Sequence, residues 1–407
     1  MERKLPLEGI RIADFSWFGA GPIATKYMAD HGAEVVKVES EAKLDGLRYA
    51  QPIPDGKPGP NSSGYYNNFN SSKLGITLNM DHPKGRELAR RLVAVCDVVI
   101  ENYTPRVAEK WGLTYKELVK VKPDIIVVNQ PMQGLTGPHR DYRGFGAAIQ
   151  ALSGINSLTG YPECPPVGTG TNYPDFSCNP CHTAIAIMAA LRYRRRTGRG
   201  QHIEVSQFES TVSVLESAIL DYTVNGRVQE RHGNRHPAAA PHGAYRCLGE
   251  DRWCAIVVVT EEEWRAFCRA TGEPAWTKEQ RFSSSAQRLA NQDELDLLVE
   301  SWTGQHPPEE VMGILQEAGV AAGIIQDAED TVTRDPQLRA RGHYWRLEQA
   351  DAGPTLYDGP PYRLSLTPGV LSRPAPMLGE HNDYIYREVL GLADDEITQL
   401  VVEQVIY

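Results

Sequence analysis

The sequence has no surplus of basic residues: 42 Lys and Arg stand against 52 Asp and Glu, a formal net charge of -10 over 407 residues. Proteins that hold nucleic acid or an anionic membrane surface need basic surface to displace counterions, so long polyanions are excluded as partners. Long apolar runs are missing too. No stretch approaches the roughly 20 apolar residues of a membrane-spanning helix, and Met1-Glu2-Arg3-Lys4-Leu5-Pro6 lacks the apolar segment of an export signal. The 7 cysteines are few and odd in number, which argues for a reducing compartment and against a disulfide framework. A cytoplasmic protein is expected. No expected helix carries a histidine pair at i, i+4, so a helical zinc site is not read, and no metal is expected.

What remains is the composition of an ordinary globular protein, 41% hydrophobic and 23% charged, with 36 Gly and 28 Pro to punctuate it. The length exceeds what one core usually holds, so two domains are expected. Short apolar runs alternate with amphipathic stretches through the first half. Ile10–Phe15 reads as a strand, Gly19-Ala20-Gly21-Pro22 as a tight turn, Ile23–His31 as a helix and Ala33–Glu39 as a second strand. Such a βαβ unit implies a parallel sheet with its ligand edge at the C-terminal ends of the strands.

The rhythm is interrupted from Ser40 to about Asn70, a proline-rich segment without periodicity, and long loops of this kind are more often functional than idle. It resumes with strands at Gly75–Leu78, Asp97–Glu101 and Ile125–Val128 and helices at Pro83–Val95 and Leu113–Val121. Asn179–Arg195 is an apolar helix stopped by Arg192–Arg196 and Gly198. Gln201–Val205 reads as a strand and Gln207–Leu220 as one long helix. After about Asn225 the texture turns Gly-, His- and Pro-rich, which places a smaller domain at 226–325, before a strand-like tail and a last helix at Asp383–Leu390.

Three constellations carry chemistry. Cys178-Asn179-Pro180-Cys181-His182 has the spacing of a haem attachment site, but that pattern is short and the export it requires has no signal here, so structural thiols are the better reading. Gly19-Ala20-Gly21 lacks the third glycine of a dinucleotide fingerprint; it implies a close backbone approach, to a helix start or a phosphate-bearing ligand. Asp175, ahead of the apolar helix, has two readings. It caps that helix, or it is a nucleophilic carboxylate kept ionised by a helix N-terminus, and spacing alone leaves both open.

The chain resembles the class III CoA-transferases, the formyl-CoA transferase and carnitine CoA-transferase type. Pro6–Ile12, Ala20-Gly21-Pro22, Ala29–Glu39, Val99–Tyr103 and Arg196–Gln201 carry the resemblance. It continues through Gly233–Pro237, Ala240–Tyr245, Asp335–Gly342 and Leu378–Asn382, nearly the whole chain in order. The resemblance implies an α/β fold: a discontinuous Rossmann-like large domain (1–225 plus 326–407), a small α+β domain, and two ring-shaped chains interlocked as a dimer. It implies that Asp175 attacks an acyl-CoA thioester, with coenzyme A as substrate and no prosthetic group. Trp17, Phe18, Gly19, Ala20, Lys73, Asn102, Tyr103 and Lys110 fall at positions that bind the coenzyme in the family.

Phe15–Pro22 and Asp45-Gly46-Leu47-Arg48 look most like the subgroup that takes succinyl-CoA as donor, which includes benzylsuccinate CoA-transferases and heteromers of related subunits. Two departures stand out. Gly19 replaces a glutamine that serves as oxyanion donor in some members, and Ser40-Glu41-Ala42-Lys43 has no adenine-side arginine. The same fold includes α-methylacyl-CoA racemases, which exchange an α-proton with a histidine and an aspartate. That histidine, one of the two acid-base groups, sits in a Gly-His-Asp stretch whose counterpart here is Gly144 followed by Phe145-Gly146. Neither Phe145 nor Gly146 exchanges a proton, so a transferase is expected over a racemase, with a silent acyl-CoA-binding subunit as the other alternative.

Overall fold

The computed structural model describes residues 5–54, 56 and 58–407. Met1–Lys4, the start of the segment read above for an export signal, lies outside them. Contacts divide the chain into two units. The larger comprises the chain to Asn156, Gly168–Val228 and Gln337–Tyr407, and the smaller comprises Ser157–Val167 and Gln229–Pro336.

The larger unit is built on six strands: β1 (Arg11–Asp14), β2 (Glu34–Glu39), β3 (Leu74–Thr77), β4 (Val98–Glu101), β5 (Ile126–Asn129) and β6 (His202–Glu204). They pair in the order β3-β2-β1-β4-β5-β6, and every pair is parallel. Parallel sheets are covered on both faces, which is why the inner strands β4 and β5 read as nearly continuous apolar runs. Alternate residues divide between two cores. Val36, Val38, Ile76, Val99 and Val127 pack with α3 (Pro83–Ala94) on one face. Ile12, Val35, Ile100 and Val128 pack on the other with Met28 and Ala29 of α1 (Ala20–Ala29) and with Ile187 and Ala190 of a helix at Cys178–Thr197.

The end of the chain completes the first of these faces. Ile385, Tyr386, Leu400, Val405 and Ile406 join its core. Asn382 Oδ1 accepts from the Thr77 amide (2.9 Å) and the Tyr386 hydroxyl donates to the Thr77 carbonyl (2.6 Å). The smaller unit has its own three-stranded antiparallel sheet, in the order His242–Arg246, Trp253–Val257, Ala321–Ile324. One sheet face is buried, against Trp264, Phe267, Leu295, Val299, Val311 and Leu315 from three helices. The first of them opens with a reciprocal capping box between Thr260 and Glu263.

Several elements differ from the sequence reading. The single helix expected at Gln207–Leu220 is broken: Gln207–Val212 and Glu216–Asn225 flank a tight turn at Ser213–Leu215. The hydroxyls of Thr211 and Ser213 bond back to the carbonyls of Gln207 and Ser210 (2.7 and 2.8 Å), which bends a helix. A helix at Asp394–Val402 follows the one expected to be last; its acidic first turn was the available signal. The irregular segment contains a helical turn at Gly46–Tyr49 and α2 (Gly64–Phe69), capped by Ser63.

That segment is held by buried charge. Arg48 is fully buried; its guanidinium grips both oxygens of Glu39 at the end of β2 (2.8 and 2.6 Å) and lies 3.8 Å from the centre of the Tyr66 ring. Burial alone would raise the Glu39 carboxyl, but the Arg48 charge and hydrogen bonds outweigh it and hold Glu39 well below the usual range. Beside them Lys37 donates to Asp45 Oδ2 (2.9 Å), and Lys73 to Asp14 Oδ2 (3.1 Å), with all four side chains out of solvent. Removing one partner of such a pair strands the other charge in the interior. Arg48→Ala is therefore expected to cost roughly 3–5 kcal/mol of unfolding free energy, read from the urea midpoint; a midpoint like that of the parent chain would refute this role.

Candidate active site

β1 lies between β2 and β4, so chain connections leave the sheet in opposite directions there, and a crevice opens at the C-terminal strand ends. A cavity of about 520 Å³ occupies it. Its walls come from the turn after β1 (Trp17–Ala20), the segment after β2 (Lys43), the segment after β4 (Asn102–Thr104) and the chain around Arg143–Phe145. Asp175 lines it from a single helical turn at Tyr173–Phe176.

The turn after β1 is fixed from below. Asp14 accepts from both the amide and the hydroxyl of Ser16 (3.0 and 2.5 Å), and Lys37 donates to the Ser16 carbonyl. The Asn102 side chain clamps the backbone of Trp17 in both directions, accepting from its amide (2.9 Å) and donating to its carbonyl (2.7 Å). The Trp17 ring then meets Tyr103 edge-on, with centroids 5.3 Å apart. Both glycines of the half-fingerprint are explained by close approach. A Cβ on Gly21 would lie 2.3 Å from the Ser16 side chain, and one on Gly19 would lie 3.0 Å from the Cβ of Asp175.

Asp175 is 4% exposed. It does not cap the apolar helix behind it, whose N-cap Ser177 makes no side-chain cap bond. Its Oδ2 accepts instead from the amide of Gly146 (2.8 Å), the first residue of a helix at Gly146–Ser153. A helix N-terminus is therefore present, though a different one, and it does not win. Burial pushes the carboxyl up to about 6, against the Gly146 hydrogen bond. Gly146 also has no room for a side chain: a Cβ would lie 2.8 Å from Asp175 Oδ2 and 2.6 Å from the Cβ of Asn172.

Trp17, Phe18, Gly19, Ala20, Asn102, Tyr103 and Asp175 are thus brought together around one cavity. Lys73 and Lys110 are not. Lys73 is fully buried, with its ammonium donating to Asp14, Asn70 and the Pro22 carbonyl, which leaves it no donor for a ligand in the cavity. Burial, against the attraction of Asp14, lowers it to about 8. Lys110 is exposed and paired with Asp81. The cations on the cavity wall are Lys43, 5.4 Å from the Trp17 ring centre, and Arg143. Sequence reasoning looked for an arginine after β2 and passed over Lys43. Arg143 gave no signal short of the fold. Carboxylate, two cations and an apolar wall suit a reaction in which the carboxylate attacks an electron-poor carbonyl of a ligand with a polyanionic tail.

Known proteins are similar to this chain over nearly its whole length. CoA-transferase family III matches residues 7–382. The chain is 33% identical over 402 residues to the "Succinyl-CoA--D-citramalate CoA-transferase" of Chloroflexus aurantiacus, covering 98% of each. It is 31% identical over 406 residues to the "Succinyl-CoA--L-malate CoA-transferase beta subunit" of the same organism, covering 99% of this chain and 98% of that one. Among solved structures, a CAIB/BAIF family protein from Brucella suis superposes with a TM-score of 0.87 at 32% identity, over 95% of this chain and all of that one. No helix among the described residues is long and apolar enough to cross a membrane.

The raised Asp175 carboxyl has a thermodynamic signature. A carboxyl that titrates near 6 when folded and near 4 when unfolded holds its proton more tightly in the native state. Its contribution to stability is therefore complete below about pH 4 and is lost as pH rises to about 6. Asp175→Asn should gain stability relative to the parent chain across that window and run parallel to it above about pH 7, measured by thermal unfolding at a series of pH values. Parallel curves throughout would show an ordinary, unshifted carboxyl.

Proposed function

Since the chain belongs to CoA-transferase family III and is a class III CoA-transferase, we propose that it moves coenzyme A from succinyl-CoA to a second carboxylic acid, with Asp175 as the nucleophile. The carrying observation is the Asp175 carboxylate itself, buried in the cavity wall with one oxygen held by the Gly146 amide. Asp175 attacks the thioester carbonyl, the C–S bond breaks, and CoA thiolate leaves a mixed succinyl-aspartyl anhydride. The thiolate then attacks the aspartyl carbonyl and releases succinate, giving an aspartyl-CoA thioester. The acceptor carboxylate attacks that thioester, expels the thiolate and forms a second anhydride. Return of the thiolate to the acceptor carbonyl yields acceptor-CoA and restores Asp175.

Each aspartyl step builds negative charge on an oxygen, where the Gly146 amide is a preorganised donor. Lys43 and Arg143 supply positive charge for the coenzyme's phosphates. The larger unit is read as the CoA-binding domain and the smaller as its companion, with the active form a dimer of interlocked rings. A heteromer with a related chain is the other assembly, supported by the relative named as a beta subunit.

The acceptor we propose is a short substituted dicarboxylate. Relatives named for D-citramalate and L-malate support that class, and the aromatic wall of Trp17 and Phe18 keeps benzylsuccinate within it. The racemase alternative is disfavoured, because Phe145, on the cavity wall where the racemase histidine would stand, cannot exchange a proton. Incubation with succinyl-CoA followed by hydroxylamine should convert Asp175 to a hydroxamate, seen as a mass shift on its peptide. Asp175→Ala should lower CoA transfer to a dicarboxylate panel by at least about a thousandfold. An unlabelled Asp175 in a chain that exchanges an α-proton with solvent would sink the transferase reading.

A further inference from the structure

Phe18 and Phe145 are both partly exposed, at 40% and 52%, and neither belongs to the cores described above. Their rings stack across the cavity, nearly parallel (11°) with centroids 5.8 Å apart, although one follows β1 and the other precedes the Gly146 helix. Each is one residue from a glycine beside Asp175: a Cβ on Gly19 would come within 3.0 Å of the Asp175 Cβ, and Gly146 donates to its carboxylate.

The Phe18 ring is held in place at a cost. Its backbone is left-handed (φ 59°), a strained conformation for a bulky residue. The fully buried Asp45 carboxylate, paired to Lys37, holds it there by accepting from the Phe18 amide (3.1 Å). The ring rests on Gly46, where a Cβ would come within 2.7 Å of two ring carbons. Strain kept by a buried ion pair and a glycine platform points to a use for the ring's position.

We propose that Phe18 and Phe145 form an apolar gate that keeps water off the acyl intermediate on Asp175. The inference rests on the covalent reading above. An aspartyl-CoA thioester waiting for its acceptor faces a competing reaction. Water adds to the aspartyl carbonyl, the C–S bond breaks, and CoA leaves as the thiol, restoring the Asp175 carboxylate with release of a proton. Each such event wastes one donor. Two stacked rings beside the carbonyl exclude the small polar nucleophile, and a ligand that can displace one ring by its own apolar contact still enters.

The test measures partition in the full chain: succinyl-CoA consumed against acceptor-CoA formed, by liquid chromatography, with and without acceptor. The variants are Phe145→Ala, Phe18→Gly, which also relieves the backbone strain, and Phe145→Leu. The first two should raise donor hydrolysed per CoA transferred by about tenfold or more, and Phe145→Leu should stay near the parent ratio. A parent-like ratio in both Phe145→Ala and Phe18→Gly, with transfer still measurable, overturns the gate and leaves the nucleophile reading intact. Transfer that survives Asp175→Asn overturns the nucleophile reading, whatever the ratio.

Discussion

The site depends on charge buried beneath it. Lys37 and Asp45, Lys73 and Asp14, and Arg48 and Glu39 meet out of water at the ends of β1 and β2 and in the segments that follow β2 and precede β3. Such pairs seldom add net stability over an apolar core of the same shape, because desolvation offsets most of the attraction. What they provide here is position. A carboxylate or ammonium in the interior accepts few arrangements, so the backbone that satisfies it has few conformations. Lys37 grips the Ser16 carbonyl and Asp45 the Phe18 amide, so the turn lining the cavity inherits its shape from the network.

That dependence explains what the sequence discloses and what it hides. The parallel sheet is legible because strands buried on both faces must be apolar throughout, as Val98–Glu101 and Ile126–Asn129 nearly are. The glycines at 19 and 21 correctly announce close backbone approach, though to Asp175 and Ser16. Lys73 misleads for a physical reason. A lysine in a polar stretch looks like a solvated or ligand-binding cation, and only the fold shows Asp14 waiting beneath it. Arg143 and the Gly146 amide reach Asp175's cavity from a distant part of the chain, and no local pattern records that meeting.

Asp175 shows two rules in competition. A helix N-terminus favours the ionised carboxylate and burial favours the neutral acid; here burial is the stronger. The outcome suits a carboxylate that must be both a nucleophile and a leaving group. One that is too well stabilised by its surroundings attacks poorly, and one desolvated but still mostly ionised at neutral pH keeps its basicity.

The tail that closes the sheet has a consequence for how the chain is made. Asn382 reaches Thr77 across 305 residues of sequence, and Tyr386, Val405 and Ile406 cover the same face. At roughly 5–20 residues per second, a ribosome that has just delivered β3 needs about 15–60 s more to deliver its cover. Throughout that interval this face of the nascent sheet lacks the cover that Tyr386, Val405 and Ile406 supply.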